Sequence, residues 1–353
     1  MVKELDTGLR SSAFTWNLWY ETKTLSYMLV KRLRDQRFVT LPEARADLIY
    51  CSQQLLFAKL PWIVDVEYAN ELAGGNEIRV VRRIAQKCLA SEHCKKIIPW
   101  SDWAKRTLYR TMNCKSFKEK IETVHFGVRP KNFVKKKENG KLRLLFVGSI
   151  NLSNALNFEG KGGVEVTEAF VELSKRYGGM ELVVRSWVPP DLKRKYANNP
   201  NITILDSPIG EDELTALYAS SDICIFPAHL NVGMAILEAM SYELPVIARA
   251  VFDVSEAIID MKTGILLDPP PNIRYYLWNG APNYDRNFLL GIRKNRSWLV
   301  KQIVEKTSLL IEDASLRRRL GREARRSIEE GKFSIKNRNE KLKRIFDEAV
   351  NAN

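Results

Sequence analysis

Short apolar runs separated by polar loops recur along the second half of the chain. Runs of this length that are apolar at nearly every position are typical of strands buried on both faces of a parallel sheet. The pattern therefore predicts strands over residues 142–147, 181–184, 202–205, 223–226, 245–248 and 264–267.

Segments with helical periodicity lie between these runs. Apolar residues recur at helical spacing from Val166 to Tyr177, and the glycine pair that follows predicts the end of that helix. Acidic residues from Glu211 to Glu213 suit the first turn of another helix because they complement its dipole, and a third helix is predicted over 234–242. Strands that alternate with helices at such short intervals predict an α/β fold with a doubly wound parallel sheet.

The first half carries a less regular form of this pattern. His93 is assigned to a surface helix together with Glu92 and Lys95. The lysine-rich segment 129–143 has the composition of a linker between domains. Strands are predicted over 46–51, 62–66 and 124–128, and helices over 78–89, 100–109, 299–311, 314–330 and 335–350.

The 353-residue chain is long enough for two domains of ordinary size. Its 45% hydrophobic and 28% charged residues are typical of a globular protein, and no stretch approaches the roughly 18 apolar residues of a membrane span. The first residues, Met1 to Asp6, include acids and lack the apolar core of a signal peptide. Five cysteines without CxxC spacing indicate reduced thiols, so we expect a cytoplasmic protein.

Most of the net charge of +14 falls in the first 140 residues. A basic surface attracts nucleic acid, anionic lipid headgroups or a phosphorylated substrate, and it is also compatible with a merely solvated face. No RNP, zinc-finger or helix-turn-helix signature accompanies it, so we expect no nucleic-acid partner. Aromatic and basic residues between Phe14 and Arg34 are compatible with a peripheral contact at the cytoplasmic membrane surface, or with a helix that faces a core.

Two of the predicted strand–helix crossings carry residues suited to phosphate chemistry. In open α/β sheets, ligands bind outside the carboxyl ends of the strands, where helix N-termini present N–H groups. After the strand that ends at Val147, a loop leads to Lys161, Gly162 and Gly163 at the start of a helix. A lysine beside two glycines offers a mobile cation and close access to the backbone, and both suit a diphosphate. The alternative is an ordinary solvated turn.

The second crossing follows the strand that ends at Phe226. Gly233 allows a phosphate to approach the start of the next helix, and Glu238 lies just over one turn farther along. A carboxylate there is placed to accept hydrogen bonds from both hydroxyls of a ribose. A lone glutamate on a helix is usually only exposed, but the two crossings occur together and in order, which favours a nucleotide site.

Residues 144–268 resemble the C-terminal domain of the retaining glycosyltransferases of family 4, a group 1 family with the GT-B fold. The first half matches only weakly, through Ser101 to Lys105 and the turn at Gly127. The resemblance rests on the order and spacing of Phe146-Val147-Gly148, Lys161-Gly162, Glu213-Leu214, Leu217-Tyr218, Ser221-Asp222-Ile223, Pro227, Gly233, Glu238-Ala239-Met240, Leu244-Pro245-Val246-Ile247-Ala248 and Thr263-Gly264.

The resemblance implies two Rossmann-like domains that face each other across a cleft. We accordingly expect an N-terminal acceptor-side domain over 1–138, a C-terminal nucleotide-sugar-binding domain over 139–333, and a last helix over 334–353 that packs back on the N-terminal domain. It also implies transfer of a sugar from a nucleotide-diphosphate sugar to an acceptor hydroxyl with retention of configuration. A glycan or a lipid-linked sugar is the expected acceptor.

The resemblance further implies roles for individual residues. Lys161 would hold the diphosphate of the donor and Glu238 its ribose, and these two are the expected catalytic residues. The backbone at Gly233, Met234 and Ala235 would meet the phosphates and the sugar. Enzymes of this family need no metal or other cofactor at the donor site, and UDP or GDP is the expected nucleotide.

Three features depart from the family pattern. The glutamate that usually grips the donor sugar is replaced by Leu230, in a loop one residue shorter than usual, so His229 or Asn231 is a candidate substitute. The arginine that normally follows Val-Gly is Ser149, and no glycine-rich loop is recognisable near the N-terminus. A second hypothesis therefore stays open, a catalytically degenerate nucleotide-sugar-binding or partner subunit.

Two further regions are assigned to the substrates. By the same resemblance, the base of the donor would lie near Leu205 and Ile209. In the first half, Asp65 and Glu67 follow an apolar strand, where contacts to an acceptor or to the donor sugar are expected. A solvated loop is an equally weighted alternative for Asp65 and Glu67.

Overall fold

The chain folds into two compact units. The structure is a computed structural model, and it describes residues 46–57, 59–73, 79–135, 140–150, 155–230 and 233–351. The first unit contains the described residues as far as Val124, together with Asn279–Ala281 and the end of the chain from Glu340; the second contains His125–Trp278 and Pro282–Asn339. The predicted aromatic cluster that begins at Phe14 and the candidate Asn231 lie outside the described residues.

The first unit is built on a parallel sheet. Its strands are β1 (Ile49–Ser52), β2 (Trp62–Val66) and β3 (Cys94–Pro99), in the order β1-β2-β3. Helices α1 (Ala69–Ala73), α2 (Arg79–Ala90) and α3 (Asp102–Thr111) belong to the same unit. Strand β2 is buried along its whole length, as expected of a middle strand covered on both faces.

The second unit is built on a larger parallel sheet with the order β6-β5-β4-β7-β8-β9. Every pairing between its neighbouring strands is parallel. The predicted strands are confirmed here to within two residues at either end. The six strands are β4 (Leu142–Val147), β5 (Met180–Arg185), β6 (Ile202–Leu205), β7 (Ile223–Phe226), β8 (Val246–Arg249) and β9 (Ile265–Leu267).

Helices cover both faces of this sheet. Because alternate residues of a strand point to opposite faces, Phe146 packs with Phe170 in one apolar cluster, and Leu145 packs with Leu237 in another. Each large apolar side chain that is fully buried in this way contributes about 1.5–3 kcal/mol. The helices are α4 (Ala155–Gly160), α5 (Gly163–Leu173), α6 (Pro190–Tyr196), α7 (Glu211–Ala219), α8 (Ala235–Ser241), α9 (Val254–Ala257), α10 (Arg286–Lys294), α11 (Arg296–Glu312) and α12 (Ala314–Glu329).

The last helix, α13 (Ile335–Asn351), ends in the first unit. Its residues Ile345 and Ala349 are buried in an apolar cluster with Ile63 of β2 and Ile98 of β3. The end of the chain therefore completes the core of the unit that the beginning of the chain builds. Among the described residues, no helix is both long enough and apolar enough to cross a membrane.

The helix predicted around His93 is wrong. His93 lies in a turn, and the residues that follow it form β3. Two consecutive lysines make this segment look unlike a strand in the sequence. In the structure, Lys96 forms ion pairs with Glu122 at 3.4 Å and Glu348 at 3.1 Å, both distant in sequence. Long-range ion pairs thus allow a strand where the local pattern does not predict one.

The strand predicted over 124–128 is also wrong. The N–H group of Val124 donates to the carbonyl of Pro99 at 3.0 Å, and Val128 forms an isolated bridge with Ser334. Between these two contacts the backbone is irregular. An apolar run predicts burial correctly here, but a strand also needs a continuous ladder of partners, which this segment lacks.

Candidate functional site

The order in which strands are added to the sheet of the second unit reverses between β4 and β7. From β4 the chain adds β5 and then β6 on one side, and it returns to the other side of β4 to form β7, β8 and β9. At such a switch point the loops that follow the two central strands separate, and the crevice between them at the carboxyl edge is where ligands bind. Both crossings singled out in the sequence follow these two strands.

The first crossing runs from β4 through Lys161 to α5. Gly162 has a φ of +82°, and a Cβ atom there would lie 2.6 Å from Cγ and 2.9 Å from the carbonyl oxygen of Pro227. Only glycine meets both conditions without strain, because it tolerates a left-handed conformation and has no side chain. Lys161, which is half-buried, is thereby held immediately before the N-terminus of α5.

The two crossings are in direct contact. The carbonyl of Gly160 accepts hydrogen bonds from the N–H groups of His229 at 2.8 Å and Leu230 at 3.2 Å. A Cβ atom on Gly160 would lie 2.5 Å from Cδ1 of Leu230. The structure therefore brings the Lys161 loop beside the loop that leads from β7 to α8.

The end of the second loop is open. Gly233 is exposed, has a φ of +60°, and would carry a Cβ atom with no neighbour within 4 Å. Met234 and Ala235, which follow it, are half-buried against the apolar cluster that lies under α8. The backbone of this turn is thus accessible to a ligand, while the next residues anchor it to the core.

Glu238 lies in the first turn of α8 and is half-buried. The hydroxyl of Tyr218 on α7 donates to its Oε2 atom at a long 3.5 Å. Burial raises the pKa of Glu238, and the charge of Lys131, the Tyr218 hydroxyl and the charge of Arg185 partly offset that rise. A carboxylate with one long hydrogen bond retains acceptor capacity for a ligand.

The residues proposed to contact the nucleobase pack on the same face of the sheet as Met234 and Ala235. Leu205 ends β6 and Ile209 precedes α7, and both are half-buried. They contact the same apolar cluster as Met234 and Ala235. Partly exposed apolar side chains at the carboxyl edge suit a flat, weakly polar ring such as a nucleobase.

Ser149 lies one residue beyond Gly148 after β4. Its carbonyl accepts hydrogen bonds from the N–H group of Trp187 at 3.1 Å and from the hydroxyl of Ser186 at 3.3 Å. The loops after β4 and β5 are therefore tied together. A serine in this position brings no cation to the carboxyl edge.

His229 is fully buried, unlike the other proposed donor contacts that the structure describes. Its Nδ1 atom lies 2.7 Å from the hydroxyl oxygen of Tyr275, and the two rings are stacked. Burial, reinforced by the positive charge of Arg249, holds the pKa of His229 well below its ordinary value. The imidazole is therefore neutral and supports the β7–α8 loop from within the unit.

A buried ionic cluster under this loop escapes detection in the sequence. Arg249, at the end of β8, is almost fully buried and donates to the carbonyls of Pro227 at 3.3 Å and Asp268 at 2.9 Å. Glu165 of α5 is also fully buried, with an oxygen 3.8 Å from Nε of Arg296. Burial raises the pKa of Glu165 to about 7. No local pattern reveals such pairs, because their members come from different elements.

In the first unit, Asp65 is buried at the end of β2. One carboxylate oxygen accepts from the Tyr50 hydroxyl at 2.6 Å, and the other accepts from the Gln53 N–H at 3.0 Å and the Ser52 hydroxyl at 3.2 Å. Burial raises the pKa of Asp65, and these donors offset part of the rise. Glu67, the second candidate, is half-buried.

Comparisons with known proteins match the part of the chain that holds these residues. Residues 141–274 match the family model described as Glycosyl transferases group 1. Among curated proteins, no sequence matches the chain. The matched residues contain β4 to β9 and both crossings, so the family domain and the candidate site coincide.

Solved structures resemble nearly the whole chain. Sucrose-phosphate synthase from Thermosynechococcus elongatus is 15% identical with a TM-score of 0.61, and the match covers 88% of this chain and 75% of that one. A glycosyltransferase from Rickettsia africae ESF-5 is also 15% identical with a TM-score of 0.61, covering 94% and 84%. HepE from Anabaena, solved in complex with UDP-glucose, is 13% identical with a TM-score of 0.54, covering 85% and 78%. The chain therefore has the GT-B fold, and its residues 141–274 match the domain model of the group 1 glycosyltransferases.

Proposed function

We propose that the protein transfers a sugar from a nucleoside-diphosphate sugar to an acceptor hydroxyl, with retention of configuration. The contact between the two loops at the switch point carries this proposal. Hydrogen bonds from His229 and Leu230 to Gly160 hold the Lys161 loop against the β7–α8 loop. Cation, accessible backbone and carboxylate therefore belong to one edge of one sheet.

Each group in this site suits one part of the donor. The Lys161 ammonium and the N–H groups in the first turn of α5 bind the diphosphate. The backbone at Gly233 contacts the phosphates and the sugar. Glu238 accepts hydrogen bonds from the ribose hydroxyls, and the base lies against Leu205 and Ile209.

The chemistry of the leaving group explains why these residues matter. In the transfer, the bond between the anomeric carbon and the diphosphate oxygen breaks and its electron pair stays on the diphosphate. The oxygen of the acceptor hydroxyl bonds to the anomeric carbon, and its proton passes to the released diphosphate. Negative charge therefore grows on the diphosphate in the transition state. A positive charge fixed near that oxygen stabilises the transition state more than the ground state, and this lowers the barrier.

UDP or GDP is the proposed donor nucleotide. The complex of HepE with UDP-glucose supports the uracil nucleotide as the first one to test. We propose that the donor site works without a divalent metal ion, so activity should persist in EDTA. A glycan or a lipid-linked sugar is the proposed acceptor, Glu67 is the acceptor-side candidate of the first unit, and the cytoplasmic face of the membrane is the proposed location.

A catalytically degenerate subunit is the second candidate, and Leu230 and Ser149 favour it because both replace charged residues of the family pattern. Release of nucleoside diphosphate from UDP-, GDP- and ADP-sugars separates the two candidates. An active enzyme hydrolyses its donor slowly even without acceptor, and Lys161→Ala abolishes that release. Binding of a nucleotide sugar without any release, with or without a range of glycan acceptors, would favour the degenerate subunit.

A further inference from the structure

We propose that Arg185 supplies the second phosphate-binding cation of the donor site, in place of the charge that Ser149 does not bring. This inference rests on the proposed function and names a binding residue of the same site. It concerns a residue that the sequence pattern does not single out, because Arg185 ends a strand whose other residues, apart from Glu181, are apolar.

The position of Arg185 is the first observation. It is the last residue of β5, and it pairs in register with Val147, the last residue of β4. The loops beyond these two residues are joined by the hydrogen bond from Trp187 to Ser149. Arg185 therefore stands at the carboxyl edge, one strand away from the place where the family pattern has its arginine.

The direction of the side chain follows from the alternation along β5. Val183, two residues earlier, belongs to the apolar cluster that contains Leu237 of α8, so Arg185 projects toward that same face. Glu238 is the next residue of α8. In agreement, the positive charge of Arg185 is among the groups that offset part of the rise that burial causes in the pKa of Glu238.

The hydrogen bonding of Arg185 is the second observation. Its Nε atom is buried and has no hydrogen-bond partner within the part of the chain that the structure describes. Over the same residues, no carboxylate oxygen lies within 4.0 Å of its guanidinium, Glu238 included. Arg185 is half-buried, and a charged guanidinium whose buried Nε–H group has no acceptor carries a desolvation cost that an anionic ligand would relieve.

A diphosphate satisfies this unpaired group better than the neutral parts of the donor do. A guanidinium forms two parallel, charge-assisted hydrogen bonds with phosphate oxygens. The base and the ribose carry no charge, so they leave the electrostatic cost of burial in place. If Glu238 binds the ribose, Arg185 is placed to bind the phosphate next to it. Lys161 binds the diphosphate from the loop that precedes α5.

Affinities for a ligand series test this assignment. Wild type, Arg185→Met and Arg185→Lys are titrated with UDP, GDP and ADP and with the corresponding nucleosides, whose affinities are read by competition with a labelled diphosphate. Arg194→Met is the matched control, because Arg194 is an exposed arginine of α6. Circular dichroism and the melting temperature confirm that each variant is folded.

We expect Arg185→Met to weaken binding of the preferred diphosphate by roughly 10- to 100-fold, as removal of a charge-assisted contact does, while nucleoside affinity stays within about two-fold. Arg185→Lys keeps part of the affinity, and Arg194→Met behaves as wild type. Unchanged diphosphate affinity in Arg185→Met, or an equal loss of nucleoside affinity, would overturn the assignment of Arg185 but leave the proposed function standing. A wild-type protein that binds none of the diphosphates would overturn the proposed function together with it.

Discussion

Asp65 and Glu238 are both carboxylates near the carboxyl edge of a parallel sheet, and burial raises the pKa of each. They differ in what surrounds them. Asp65 accepts hydrogen bonds on both oxygens from Tyr50, Ser52 and Gln53. Glu238 receives one long hydrogen bond from Tyr218.

This difference supports a structural role for Asp65 and is consistent with the proposed binding role of Glu238. The donors on Asp65 come from β1 and its end, so its carboxylate fastens β1 to β2 and has little acceptor capacity left for a substrate. Glu238 is anchored by its helix while its oxygens remain poorly satisfied within the described residues. A polar residue at a strand end is thus insufficient evidence for a ligand; its unused hydrogen-bonding capacity has to be examined as well.

Among substitutions in the second unit, replacement of Lys161 should lower the catalytic rate most. We expect Lys161→Ala to lower kcat by roughly 100- to 1000-fold, because removing one group that stabilises transition-state charge costs that much in other enzymes. Lys175→Ala, at an exposed position just beyond α5, is the matched control. Steady-state kinetics with the preferred donor measure the effect, and wild-type turnover in Lys161→Ala would exclude this lysine from the mechanism.

Removal of the Glu238 carboxylate should act chiefly on binding. We expect Glu238→Ala to weaken affinity for the nucleoside diphosphate by roughly 10- to 100-fold, because two hydrogen bonds to a charged acceptor are lost. Glu172→Ala, which breaks only a surface ion pair with Arg176, is the control. Isothermal calorimetry measures both affinities, and equal values for Glu238→Ala and wild type would refute the ribose contact.

The corresponding change in the first unit should act on stability instead. In Asp65→Asn an amide group has to face several donors, among them Tyr50, Ser52 and Gln53, so at least one hydrogen bond is lost at a buried site, at a cost of about 1–3 kcal/mol. We expect a lower melting temperature with unchanged affinity for the nucleoside diphosphate. Weakened nucleotide binding at normal stability would contradict the structural role of Asp65.

The pH dependence of nucleotide binding should show a smaller effect of Glu238. Its raised pKa means that the carboxylate takes up a proton at a higher pH than an ordinary glutamate does. Affinity should therefore be constant while Glu238 is ionised and should begin to fall, as pH decreases, earlier than the ordinary pKa predicts. Glu238→Gln should remove this step, and an identical pH profile in Glu238→Gln would show that another group titrates.

The fold of the second unit could be predicted from the sequence because its determinants are local. Each of its strands is apolar at most of its positions, and the glycines at 162 and 233 mark the two turns of the candidate site. The first unit lacks this advantage. Strand β3 contains Lys95 and Lys96, and the carboxylates that pair with Lys96, Glu122 and Glu348, are distant in the chain.

The site could be predicted in part for the same reason. Lys161 and Glu238 stand at recognisable positions relative to their strands. Arg185 and Arg249 were not predicted, because a charged residue at the end of an apolar run has no distinguishing pattern. Their environment becomes evident only when burial and hydrogen bonding are known, as with the carbonyl contacts of Arg249.

A crystal structure of the protein with its preferred nucleoside diphosphate would show whether the two loops form one donor site. We expect the diphosphate between Lys161 and the backbone of Gly233, with the ribose hydroxyls on Glu238. A nucleotide bound elsewhere, or one whose phosphates lie away from both loops at the β4–β7 switch point, would contradict this prediction.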